Sequence, residues 1–146
     1  MRLYLDTSVF SAYYDDRAPE RTELTIEFWA KLSAHEKLCS ELTVEELSEA
    51  SLELKQKLLA LTRDFEIVKI TRQINDLAKK YVDEEVIPSR YFADAIHIAA
   101  AVMGKSDILV SWNYRHLVKR NTRLLVNYIN NKFGLRFIEI LAPPEI

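Results

Sequence analysis

The sequence predicts an α/β protein whose parallel sheet is covered by helices on both faces, and three observations lead there. Short apolar runs of strand length alternate with longer stretches in which apolar residues recur at helical spacing. That alternation continues along all 146 residues without repeats, low-complexity tracts or a linker. The two glycines, Gly104 and Gly134, fall where helices should stop. A chain of this length fits one domain spanning residues 1–146, and 49% apolar residues with a net charge of −2 suit a buried core.

Taken in order, residues 3–5 have the composition of a first strand, and Phe10, Tyr13, Tyr14, Phe28 and Trp29 fall in the first helices. These aromatics either pack those helices or supply part of a partner surface. Residues 38–39 are a weaker second strand. Leu47, Leu54, Leu58 and Leu61 then mark a helical pattern, and residues 65–68 a third strand. Ile74, Leu77, Ala78 and Tyr81 share one helix face, and the turn at Pro88 precedes a strongly apolar helix around residues 92–101. Residues 108–110 are a fourth strand. Leu124, Leu125, Tyr128 and Ile129 indicate a last helix, and residues 137–140 a last strand ended by Pro143 and Pro144.

Scarce residues exclude several functions. Two glycines thirty positions apart cannot build a P-loop or a dinucleotide-binding turn. The lone Cys39 allows no internal disulfide and no cysteine-based zinc site, and His35, His97 and His116 lack metalloprotease spacing. Any metal would therefore be held by oxygen. No apolar run has membrane-spanning length and the first residues do not read as a signal peptide, so the expectation is a cytoplasmic protein.

Charge is distributed unevenly. Residues 1–60 carry seven Lys and Arg against twelve Asp and Glu, whereas residues 114–138 contain Arg115, Lys119, Arg120, Arg123, Lys132 and Arg136 and no acid. The basic stretch is either a phosphate-contacting face or a solvated helix surface.

Ligands of open α/β sheets gather beyond the carboxyl ends of the strands, so polar residues there are the candidates. Asp6 follows the first strand in Leu5-Asp6-Thr7-Ser8 and suits either a cation or a helix cap. Glu46 lies in the helix after the second strand, where Thr43 and Glu46 also have capping-box spacing; Glu45 is the neighbouring alternative. Asp94 is surrounded by Phe92, Ala93, Ala95, Ile96 and Ile98, and a buried carboxylate needs a partner or a metal. Arg90, four residues earlier, offers an ordinary ion pair. His97 could orient Asp94 or simply be satisfied within the helix interface. Asn113 follows the fourth strand, while Asp107 precedes it, roughly 16 Å away at the opposite end.

On these residues the chain resembles the PIN-domain family and, in size and layout, the VapC-type ribonuclease toxins of toxin–antitoxin pairs. The matching segments are Leu5-Asp6-Thr7-Ser8, Ser40-Glu41-Leu42-Thr43 through Glu46-Leu47, Ala93-Asp94-Ala95-Ile96-His97-Ile98-Ala99, and Asp107 through Asn113. The resemblance implies a three-layer α/β/α sandwich with a parallel sheet of about five strands and an acidic pocket binding Mg2+ or Mn2+. Asp6, Glu46 and Asp94 match the family's core acids and hence its metal ligands. Asn113 stands where many members carry a fourth acid, and Ser8 and Ser111 match hydroxyls lining the pocket. The implied activity is metal-dependent hydrolysis of RNA by an activated water. Arg115, Lys119, Arg120 and Arg123 are candidates to guide the RNA backbone. The implied partners are a cognate antitoxin and a second copy of the chain, with no membrane. An RNA- or protein-binding module without turnover is the alternative reading, because one acid is missing.

Overall fold

The computed structural model describes all 146 residues. In chain order the elements are β1 (Arg2–Leu5), α1 (Thr7–Tyr13), α2 (Pro19–Lys31), β2 (Glu36–Ser40), α3 (Glu41–Leu47), α4 (Leu52–Leu61), β3 (Glu66–Val68), α5 (Arg72–Asp83), α6 (Phe92–Met103), β4 (Ile108–Val110), α7 (Arg120–Lys132) and β5 (Glu139–Leu141). The five strands form one parallel sheet in the order β3-β2-β1-β4-β5, flanked by the seven helices in an α/β/α sandwich. Leu3 pairs with Lys37 on one side and Ile108 on the other, so β1 is central. The chain fills one half of the sheet and then crosses to β4, which places the topological switch beside the carboxyl end of β1.

Apolar side chains from the strands and the facing helices make one continuous core. Phe10, Trp29 and Phe65 pack ring against ring, with centroids 5.1–5.9 Å apart, so most of the early aromatics are interior and Tyr14 is left exposed. Trp112 is buried too; its indole N–H donates to Thr25 Oγ1 at 2.9 Å, tying the segment after β4 to α2. Gly104 ends α6 where the chain passes close to the sheet: a Cβ there would stand 2.9 Å from the Ala100 carbonyl oxygen.

Four details differ from the sequence reading. The pattern through Leu47 and Leu54 is two helices, α3 and α4, separated at residues 48–51. The cap of α3 joins Ser40 to Thr43, with Ser40 N–H donating to Thr43 Oγ1 at 3.2 Å, so Glu46 has no capping role. In α7 the buried face is Thr122, Val126, Ile129 and Asn130, while Leu124 and Tyr128 are exposed. Asn130 is turned inward because the buried Tyr81 hydroxyl donates to it and its own amide donates to the Arg136 carbonyl at 3.1 Å. The last strand begins at Glu139, and Phe137 is solvent-exposed.

Candidate active site

Asp6, Glu46, Asp94 and Asn113 are brought to one end of the sheet by different elements. Asp6 leaves the end of β1, pairs its backbone N–H with the Val110 carbonyl at 3.1 Å, and caps α1 by accepting from Ser8 N–H at 3.1 Å. The Ser8 hydroxyl donates to the same carboxylate oxygen, and the Ser111 hydroxyl to the other. Each serine is itself aimed by the backbone: Trp112 N–H donates to Ser8 Oγ and Asn113 N–H to Ser111 Oγ, both at 2.9 Å. Asp6 is only 4% exposed. Burial pushes its carboxyl above the ordinary carboxylate value, against the opposing pull of His97 and the hydrogen bonds of Ser111, Ser8 and Val9. Ser111 is fully buried, so it holds Asp6 from beneath instead of lining open space.

The helix register sets the two glutamates apart: Glu45 is exposed and Glu46 is half-buried. Glu46 Oε1 accepts from Thr7 Oγ1 at 2.7 Å and lies 2.7 Å from His97 Nε2. Burial alone would raise its pKa, yet the His97 and Thr7 contacts prevail and leave the carboxyl below its usual range. The partner of His97 is thus Glu46 and not Asp94, because a step of three along α6 turns the imidazole toward α3 and β1.

Asp94, in the first turn of α6, forms no ion pair with Arg90; that guanidinium instead stacks 5.0 Å from the Tyr91 ring centroid. The Asp94 carboxyl is pushed up to about 6 by burial first, with Asp6 and Glu46 adding repulsion and His97 and Asn113 opposing it. Its one hydrogen-bond partner is Asn113, whose Nδ2 donates to Oδ2 at 3.3 Å. The Asn113 carbonyl oxygen accepts from His116 N–H at 2.9 Å, so the amide turns its NH2 end toward the acids. Asp107 is remote, accepting from Arg2 N–H at 2.8 Å and pairing with Arg136 at 3.3 Å at the opposite edge.

The basic candidates separate into two groups. Arg115, Lys119 and Arg120 are exposed at the start of α7 or in the segment before it. Arg115 lies 5.9 Å from the Tyr91 ring, and His116 stacks on that ring at 4.1 Å. Burial, then the charges of Arg115, Lys119 and Arg90, hold His116 below its ordinary pKa, which places three cations around the segment that carries Asn113. Arg123 instead pairs with Glu145 at 3.5 Å. Beside Glu46, a cavity of about 390 Å³ is lined by Ser11, Tyr14, Asp15, Leu54 and Leu58 among others; Asp6 and Asp94 do not reach it.

Acids at the carboxyl end of a parallel sheet, flanked by its switch point, define the class of fold and site. The chain belongs to the PIN domain family: a sequence profile of that family matches residues 3–119. Its fold is shared with solved structures of low sequence identity. VapBC2 from Rickettsia felis, bound to a DNA fragment from its promoter, matches with a TM-score of 0.57 and 15% identity over 97% of this chain and 98% of the other. VapC20 from Mycobacterium tuberculosis, a toxin cleaving the sarcin-ricin loop, matches at 0.63 and 15% over 78% and 92%. VapBC-1 from nontypeable Haemophilus influenzae matches at 0.61 and 14% over 99% of both chains. No curated protein matches in sequence. No helix is long and apolar enough to cross a membrane.

Proposed function

We propose that the protein is a Mg2+- or Mn2+-dependent ribonuclease, the toxin of a toxin–antitoxin pair. The observation that carries this reading is the coupling of three carboxylates at one sheet end, with Asp94 raised toward neutral pH by burial and by the other two acids. Converging carboxylates that repel one another favour a hard cation with oxygen ligands. As placed, no three His, Cys, Asp or Glu residues stand close enough to enclose an ion. The donor set nevertheless fits in chemistry: Asp6 is fixed by three donors, and the half-buried Glu46 and Asp94 each keep one carboxylate oxygen free of protein hydrogen bonds.

Asp6, Glu46 and Asp94 would hold the cation, which when bound supplies Lewis-acid charge to the phosphodiester and makes water a stronger nucleophile. Ser8 and Ser111 aim Asp6 and oppose the effect of burial on its carboxyl by donating to both oxygens. Asn113 steadies Asp94 and contributes no charge, so fewer negative groups face the RNA than in a four-acid site. Arg115, Lys119 and Arg120 meet the RNA backbone beside the acids. A cognate antitoxin and a second copy of the chain are the protein partners in this reading, supported by the VapBC structures that share the fold.

The test is RNA cleavage by Asp94→Asn in Mn2+: cleavage is lost while the circular dichroism spectrum is unchanged. Cleavage at the wild-type rate would remove Asp94 from the chemistry. The amide NH2 of Asn113 donated to Asp94 favours a second reading, a PIN fold that binds RNA or protein without turnover. Under that reading the wild-type protein neither binds Mn2+ nor cuts RNA.

A further inference from the structure

A buried chain of side chains lies behind Glu46. Tyr4 on β1 is fully buried, and its hydroxyl is 2.8 Å from both Ser40 Oγ and His97 Nδ1. The Tyr4 and His97 rings meet edge-on with centroids 5.9 Å apart. His97, 3% exposed, places Nε2 2.7 Å from Glu46 Oε1. The link joins the centre of the sheet to α6 and then to α3, three elements that packing already fixes.

A carboxylate accepts only, so the ring nitrogen facing Glu46 carries a proton and donates it. Thr7 donates to the same oxygen, and Oε2 forms no hydrogen bond with the protein. We propose that Tyr4 and His97 are positioning residues for Glu46: they anchor Oε1 so that Oε2 is the oxygen offered to a divalent cation. This rests on the metal-binding reading given above. Tyr4 orients the imidazole, and the imidazole orients the carboxylate, in the manner of hydrogen-bonded groups that back metal ligands. The rotamer freedom of Glu46 is then lost on folding and does not weaken cation binding.

The experiment has two arms. In the first, Mn2+ alone is titrated against wild type, Tyr4→Phe, His97→Ala and His97→Gln, with thermal melts recorded for each. The expected result is an affinity ~10- to 100-fold weaker in Tyr4→Phe and His97→Ala, with partial recovery in His97→Gln, which keeps one amide donor. Wild-type affinity in Tyr4→Phe and His97→Ala overturns the proposal. In the second arm, long-range proton–nitrogen correlation spectra of the metal-free protein follow the His97 ring. The Nε2 resonance is expected to shift in Glu46→Gln and the Nδ1 resonance in Tyr4→Phe; resonances that move in neither overturn the relay whatever the metal result. A wild-type protein that binds no Mn2+ overturns the metal reading and, with it, the role of Oε2, while the spectra still decide whether Tyr4 and His97 hold Glu46.

Discussion

Replacing Asp94 by asparagine removes a charge that the fold holds at a cost. The Asp94 carboxyl stands at about 6, against an ordinary 3.8, with burial the largest cause and repulsion from Asp6 and Glu46 adding to it. A rise of that size corresponds to ~3 kcal/mol against the ionised form, and the partial solvent access of the side chain reduces this to ~1–2 kcal/mol. Between pH 3.8 and about 6 the native state binds more protons than the unfolded chain, so wild-type stability falls as pH rises through that window. Below it, the carboxyl is neutral in both states and the penalty disappears. Urea unfolding in EDTA should therefore show Asp94→Asn more stable than wild type by ~1–2 kcal/mol at pH 7.5 and equal to it near pH 3.5. Saturating Mn2+ should stabilise the wild type alone, because a ligand that binds only the native state adds to its stability. A variant less stable at pH 7.5, or a difference that does not change with pH, would refute the electrostatic account of Asp94.

Other substitutions test separate parts of the site. Asn113→Asp should keep the bond from His116 N–H, lose the one to Asp94 and add a fourth charge; Mn2+ titration should show tighter binding, and thermal melts in EDTA a loss of ~1 kcal/mol. Ser111→Ala strips a donor from buried Asp6 and leaves Asn113 N–H without its acceptor, so unfolding should show a loss of ~1–3 kcal/mol and cleavage should weaken. Arg115→Ala combined with Lys119→Ala should weaken RNA binding and lower its salt slope by ~1–2, read by fluorescence anisotropy across a salt series. Arg123→Ala, whose side chain is already paired with Glu145, should change that slope little.

Much of the fold was legible because each strand is a short apolar run whose ends fall at polar residues, as at Leu5-Asp6 and Val110-Ser111. The parallel order followed from helical stretches of crossover length between strands. The break between α3 and α4 was hidden because leucines on both sides continue one helical period while Ser48 and Ser51 carry no strong stop signal. The α7 face was misplaced because Asn130 is buried by a partner distant in sequence, Tyr81, and local hydropathy reports burial by apolar contact only. Asp6 and Asp94 stood out as acids bordering apolar segments. The pairing of His97 with Glu46 depends on α3 and α6 meeting across β1 and β2, and no spacing of 51 residues announces it. The Asn113 orientation likewise depends on the bond to His116 N–H, a local turn that residue identity leaves open.

The most direct measurement of the central claim is cleavage of a mixed RNA pool by the purified protein in Mn2+, in Mg2+ and in EDTA, beside Asp6→Asn purified in the same way. The account predicts cutting that requires the metal, stops in EDTA and is absent in the variant. Cutting that persists in EDTA or in Asp6→Asn, or a folded wild-type protein without a bound partner that cuts in no condition, would contradict it.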